Sequence, residues 1–129
     1  MTSFLIVDDH ADFRREARAL LEAEGLWVVG EAADGQSALD ETVALRPDVV
    51  LLDIGLPDID GFEVAQRLAA STPSPGVVLI SSRDASAYGG RIASSRAAGF
   101  VRKDNLSADA ISALVPVVPR TQGPGGRCR

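Results

Sequence analysis

Five polar side chains in this chain stand where apolar runs stop. Asp8 and Asp9 close Phe4-Leu5-Ile6-Val7, Asp53 closes Val49-Val50-Leu51-Leu52, Ser81 closes Val77-Val78-Leu79-Ile80, and Lys103 follows Phe100-Val101-Arg102. Such runs read as buried parallel strands, and open α/β sheets place their ligand sites at the carboxyl ends of strands. Three carboxylates gathered there repel and raise one another's pKa unless a hard cation or a cationic side chain offsets the charge. The set suits phosphoryl transfer onto a carboxylate. Asp53 is the candidate nucleophile, and a divalent ion such as Mg²⁺, held by carboxylates, screens the charge and holds the incoming oxygens. Lys103 adds a point positive charge and Ser81 a hydroxyl donor, both stabilising an in-line transfer. Gly55 offers a backbone carbonyl to the metal, while Pro57 and Gly61 shape the loop after Asp53.

Strands and helices must alternate to bring these groups to one rim. Apolar runs of about five residues separated by stretches of helical period are the pattern of βαβ units. Strands are expected near 4–8, 27–32, 48–53, 76–81 and 99–102, in the doubly wound order 2-1-3-4-5. That order sets the first strand beside the third, with the fourth and fifth following on the same side. A first helix from Ala11 to Ala23 puts Phe13, Ala17, Leu20 and Leu21 inward and Arg14, Arg15, Arg18 and Glu22 toward water, with Gly25 ending it. A second from Gly35 to Leu45 turns Ala38, Leu39, Thr42 and Val43 inward, and Pro47 forbids its continuation. A third spans Phe62 to Ser71. The fourth, within 85–97, is short or late-starting because Gly89-Gly90 interrupts it, and the fifth follows the N-cap Ser107 and stops by Pro116.

Composition narrows the classes. At 129 residues, 46% apolar and 24% charged, the chain fits one globular domain, read as 1–118 with a Gly/Pro/Arg-rich tail over 119–129 expected to be disordered. A net charge of −5 argues against direct nucleic-acid binding. The single cysteine, Cys128, builds neither disulfide nor thiolate site. No secretory leader pattern and no apolar run of about 20 residues is found, so a soluble cytoplasmic protein without membrane contact is expected.

At Asp8-Asp9, Asp53-Ile54-Gly55-Leu56-Pro57, Asp60-Gly61, Ser81 and Gly99-Phe100-Val101-Arg102-Lys103 the chain resembles a response-regulator receiver domain of two-component signalling, over residues 4–118. The resemblance implies a three-layer, flavodoxin-like α/β fold with a five-stranded parallel sheet. It implies Asp53 as phospho-acceptor from a histidine kinase or phosphotransfer protein. Mg²⁺ would lie on Asp9, Asp53 and the Gly55 carbonyl, with Asp8 acting mainly through water. Lys103 would contact the phosphoryl group, Ser81 would be the switch hydroxyl in preference to Ser82, and Phe100 the aromatic partner that changes rotamer with it. Activation would alter the face of helix 4, strand 5 and helix 5, open to a downstream protein or a homodimer. Asp9-His10 and Val29 through Gly35 most resemble receivers joined to helix-turn-helix output domains. No such domain follows, which favours a stand-alone receiver over a fragment of a longer regulator.

Other readings of the same residues are weaker. An Asp before a helix is often an N-cap, and Asp9 can serve as cap and ligand together. Lys103 alone would read as a surface charge, Phe100 and Trp27 as packing residues, and His10 as a solvated side chain at the rim. Asp58-Ile59-Asp60-Gly61 does not make a Ca²⁺ loop, lacking the closing Glu, nor an aspartyl-phosphatase motif, since Pro57 precedes it instead of a strand. Gly55 and Arg83, two residues past Asp53 and Ser81, border the path of a hydrolytic water and so tune the lifetime of an acyl phosphate. The alternatives to a phosphorylation switch are a pseudo-receiver that binds a protein without phosphorylation, and a small-molecule phosphatase, for which the chain has no residues to spare for a cap.

Overall fold

The computed structural model describes residues 1–120. Strands β1 (Ser3–Val7), β2 (Trp27–Ala32), β3 (Val49–Asp53), β4 (Gly76–Ser81) and β5 (Gly99–Arg102) form one parallel sheet in the order β2-β1-β3-β4-β5. Helices α1 (Ala11–Ala23), α2 (Gly35–Leu45), α3 (Gly61–Ala69) and α4 (Arg91–Ser94) connect them, and α5 (Ala108–Ser112) follows β5. Every residue of β1 and β3 is buried, as expected of central strands covered on both faces. Successive side chains point to opposite faces, so the two strands feed two cores. Phe4, Ile6 and Leu51 pack with Ala17 and Leu21 of α1 and Ile111 of α5. Leu5, Val7, Val50 and Leu52 pack with Ala38 of α2 and Val64 and Leu68 of α3. The result is a helix–sheet–helix sandwich with the expected strand order.

Differences from the expected elements have local causes. β1 ends at Val7, so Asp8 lies just past the strand rather than in it. On α1, Leu20 is 39% exposed, and on α2, Val43 is 78% exposed. Each lies one residue, or about 100°, from a buried neighbour, Leu21 and Thr42, and that rotation carries it out of the stripe. Arg14, expected in water, has a side chain only 18% exposed. α3 starts one residue early, at Gly61, because the Asp60 carboxylate accepts the Phe62 N–H at 2.7 Å as an N-cap. The segment read as a weak fourth helix is a 3₁₀ turn, Ala85–Tyr88, a break at Gly89 with φ 57°, and the single turn α4. Gly89 there occupies a conformation few other residues adopt. Ser107 caps α5, accepting the Ala110 N–H at 3.0 Å.

Thr2 and Val118 pair beside β1: Thr2 N–H donates to the Val118 carbonyl at 2.9 Å and Val118 N–H to Thr2 Oγ1 at 2.7 Å. Of the segment 119–129, Arg120 N–H donates to the Gly25 carbonyl at 2.7 Å, and the expectation of disorder over 121–129 falls outside the described residues. No described helix is long and apolar enough to cross a membrane.

Candidate functional site at the carboxyl rim of the sheet

Strand register assembles the site. Val7 pairs with Leu52, Asp53 with Ile80 and Ser81 with Arg102, so Asp8, Asp53, Ser81 and Lys103 leave the sheet within one residue of a common level. Asp8 is fully buried. Its N–H donates to the Ala32 carbonyl at 3.0 Å, and its Oδ1 accepts the His10 N–H at 2.8 Å. Its Oδ2 receives no directed hydrogen bond and stands 2.5 Å from Lys103 Nζ, so the pair is held by charge. The same ammonium is 3.6 Å from Asp53 Oδ2 and rests over the Phe13 ring, 4.7 Å from its centroid. A lysine 15% exposed is thus fixed between two buried carboxylates.

Asp53 Oδ1 accepts the Gly55 N–H at 3.2 Å. Burial pushes the Asp53 carboxyl above the ordinary carboxylate range, the Asp8 charge adds to this, and Lys103 and the Gly55 amide only partly oppose it. Asp9 sits at the mouth with its side chain 32% exposed. One oxygen from each of Asp8, Asp9 and Asp53 and one ring nitrogen of His10 all lie within 4.8 Å of one another. Three carboxylates face one ammonium there, which leaves the cluster with excess negative charge. That donor set and charge excess fit a hard divalent cation such as Mg²⁺. Neither acid caps α1: the N-cap position is His10, without a side-chain cap bond.

The loop after Asp53 is tied down from two sides. Asp58 accepts the Gly35 and Gln36 N–H groups at 2.7 and 3.0 Å, which holds its carboxyl below the ordinary range, and Asp60 caps α3. Both acids of the Asp58-Ile59-Asp60 motif are therefore spent on helix N-termini, not on a metal. At Gly61 a Cβ would lie 2.6 Å from the Asp53 carbonyl oxygen and 2.6 Å from Ile54 Cα, so only glycine lets α3 start against the end of β3. Above Gly55 a Cβ would meet nothing within 4 Å.

Ser81 is 4% exposed, whereas Ser82 is exposed. Its hydroxyl faces Tyr88, the oxygens 2.5 Å apart, and accepts the Arg83 N–H at 3.1 Å. Tyr88 lies between Phe62 and Phe100, with ring centroids 5.8 and 6.2 Å away. Phe100, expected as the aromatic residue that changes rotamer with the Ser81 hydroxyl, is linked to Ser81 through Tyr88. Sequence reasoning missed Tyr88, whose one available signal was being the single tyrosine in a run of Ser, Ala and Gly. It also missed Arg14, whose Nη1 donates to the Asp8 carbonyl at 2.6 Å while Nε donates to Glu31 at 3.1 Å. Arg102 was overlooked too. It bonds Asp84 at 2.6 Å and Asp104 at 2.9 and 2.6 Å, tying the loop after β4 to the end of β5.

An α/β sheet in this order, with acids at the ends of β1 and β3 and a lysine after β5, defines a flavodoxin-like domain of the CheY type. The chain belongs to the response regulator receiver domain family, which it matches over residues 4–115. It is 35% identical over 115 residues to the response regulator GacA of Pseudomonas viridiflava, an alignment covering 88% of this chain and 54% of GacA. Among solved structures it is 35% identical to the signal receiver domain of a response regulator named NarL from Mycobacterium tuberculosis, with a TM-score of 0.77, covering 88% of this chain and 93% of that one. The chemotaxis response regulator CheY4 of Vibrio cholerae shares the fold at 21% identity, with a TM-score of 0.77 over 89% of this chain and 99% of CheY4. The chain thus spans little more than half the length of GacA. Receiver domains of two-component systems interact with histidine kinases or phosphotransfer proteins and generally bind Mg²⁺ at an acidic pocket.

Proposed function

We propose that this receiver takes a phosphoryl group from a histidine kinase or phosphotransfer protein onto Asp53 in the cytoplasm, and that Asp8, Asp9, Asp53 and the Gly55 carbonyl hold the Mg²⁺ it requires. The observation that carries the reading is Lys103, whose ammonium lies 2.5 Å from Asp8 and 3.6 Å from Asp53 between two buried carboxylates. A bound dication supplies charge neutralisation for the acids and for the phosphoryl oxygens. Asp53 must be ionised to attack, and burial beside Asp8 opposes that, so positive charge near its oxygens is what makes it a nucleophile at neutral pH. The P–O bond to Asp53 forms as the P–N bond of the donor phosphohistidine breaks, and the departing imidazole leaves neutral or takes up a solvent proton. Lys103, already between the acids, shifts its ammonium toward the charge arriving on Asp53. Ser81, released from Tyr88, donates its hydroxyl to a phosphoryl oxygen, and the rearrangement of Tyr88 and Phe100 carries the change to α4, β5 and α5 for a downstream protein or a second copy of the chain. The phosphoryl group acts by favouring that arrangement over the resting one.

Incubation with acetyl phosphate and Mg²⁺ followed by intact-mass measurement tests this. Wild type should gain one phosphoryl group and Asp53→Ala none; a wild-type protein that gains none overturns the proposal.

A further inference from the structure

His10 directly follows the acid pair, and its ring turns back over it: Nδ1 lies 3.1 Å from Asp8 Oδ1 and 3.0 Å from Asp9 Oδ1. Adjacent donors around a six-coordinate dication with bonds of about 2.1 Å stand about 3.0 Å apart, so the nitrogen sits one coordination edge from each carboxylate oxygen. The backbone holds it there. His10 N–H donates to Asp8 Oδ1 at 2.8 Å with φ −94° and ψ 111°, which directs the residue at the acids before α1 begins. With its side chain 71% exposed, the ring is placed not by packing but by its contact with Asp8 Oδ1, a hydrogen bond when Nδ1 carries the proton and a shared coordination edge when it does not, and it caps no helix. Beside it, the fully buried Asp8 has its Oδ2 ion-paired with Lys103 Nζ at 2.5 Å, which leaves Oδ1 as the oxygen turned to the ring.

We propose that His10 Nδ1 is a direct metal ligand whenever a first-row transition-metal dication takes the place of Mg²⁺ at this site. Mg²⁺ takes oxygen donors and gives up its waters reluctantly, so a nitrogen donor adds little to its binding. Imidazole suits the later divalent ions, and affinity for a mixed nitrogen and oxygen set rises from Mn²⁺ to Co²⁺. The inference rests on the proposed reading that the acid cluster holds a divalent ion, and it adds the atom through which a transition-metal ion gains affinity there.

His10 is the only histidine of the chain, so imidazole ligation has one possible source. Electron spin-echo modulation of Mn²⁺ bound to the untagged full chain should show ¹⁴N coupling in wild type and none in His10→Gln or His10→Ala. Calorimetric titration should show Co²⁺ affinity falling at least about tenfold in both variants, with Mg²⁺ affinity changing less than about threefold. Wild-type protein that binds Mn²⁺ without ¹⁴N coupling, or variants that lose Co²⁺ and Mg²⁺ affinity equally, would overturn the inference and leave the metal site standing. Wild-type protein that binds neither Mg²⁺ nor Mn²⁺ would instead overturn the site itself.

Discussion

Without a divalent ion, Asp53→Asn should make this protein more stable. Asp53 is 5% exposed, and its charge meets one cation, Lys103, and one amide, the Gly55 N–H, against the like charges of Asp8 and Asp9. Lys103 Nζ stands 3.6 Å from Asp53 Oδ2, whereas oxygens of Asp8 and Asp9 lie within 4.8 Å of an Asp53 oxygen. At an effective dielectric of about 20, the attraction is ~4.6 kcal/mol and the Asp8 repulsion at least ~3.5 kcal/mol, so little more than ~1 kcal/mol of attraction remains. The partly exposed Asp9 removes much of that. Apart from the Gly55 amide, little then offsets the desolvation of the carboxylate, which agrees with burial being the chief cause of its upward displacement. Asparagine keeps the shape and discards the charge, so the gain should be about 1–2 kcal/mol at pH 7, or roughly 4–8 °C in melting temperature for a domain of this size. The pH dependence has a definite sign. A carboxylate whose folded pKa is raised favours folding while protonated and loses that contribution as pH rises through the folded pKa. The stability gap between Asp53→Asn and wild type should therefore be widest near neutrality and should close as pH falls toward the unfolded value of about 4. Adding Mg²⁺ should narrow the gap by stabilising wild type, by about 2.7 kcal/mol at a hundredfold excess over the dissociation constant. Calorimetric melting from pH 4.5 to 7.5, with chelator and with Mg²⁺, gives the answer. An Asp53→Asn protein less stable than wild type in chelator at pH 7, or a gap that widens on acidification, refutes the reasoning.

Gly61→Ala forces a Cβ against backbone atoms 2.6 Å away that cannot yield, so it should cost about 2–4 kcal/mol in denaturant melts and lower acetyl-phosphate labelling by displacing Asp53. Tyr88→Phe removes only the hydroxyl bonded to Ser81. It should lower the melting temperature of the unphosphorylated protein by about 3–5 °C, for a net hydrogen bond of ~1 kcal/mol, while Tyr88→Leu also strips the ring contacts with Phe62 and Phe100 and should cost more. Lys103→Met leaves Asp8 buried and unopposed, so about 3 kcal/mol of stability should go; combining it with Asp8→Asn should restore much of the loss, a coupling that chemical denaturation of the four proteins measures directly.

The strand order, the two-faced burial of β1 and β3, and the rim carrying Asp8, Asp53, Ser81 and Lys103 were legible in the chain because each depends on short-range pattern. Apolar runs of strand length with helical periods between them leave few topologies open, and the residue that ends a parallel strand lands on the ligand-binding edge. The interruption at Gly89-Gly90 was legible for the same reason, since backbone preference there is local. The partners of the side chains were not. Whether Asp58 reaches the first turn of α2, 22 and 23 positions back, whether Arg14 faces water or Glu31, 17 positions on, and whether Val43 turns in or out depend on distant residues or on about 100° of helix rotation. Ser81 shows the division most plainly. Its place at the end of β4 follows from the sequence alone, but its bond to Tyr88 does not, because a hydroxyl accepts any donor that folding brings within about 3 Å. The sequence by itself decided which groups reach the rim; only the tertiary structure decided that Lys103 lies between two acids, that Tyr88 holds Ser81, and that His10 turns its ring onto the carboxylates, since each of those depends on distances that the packed chain alone defines.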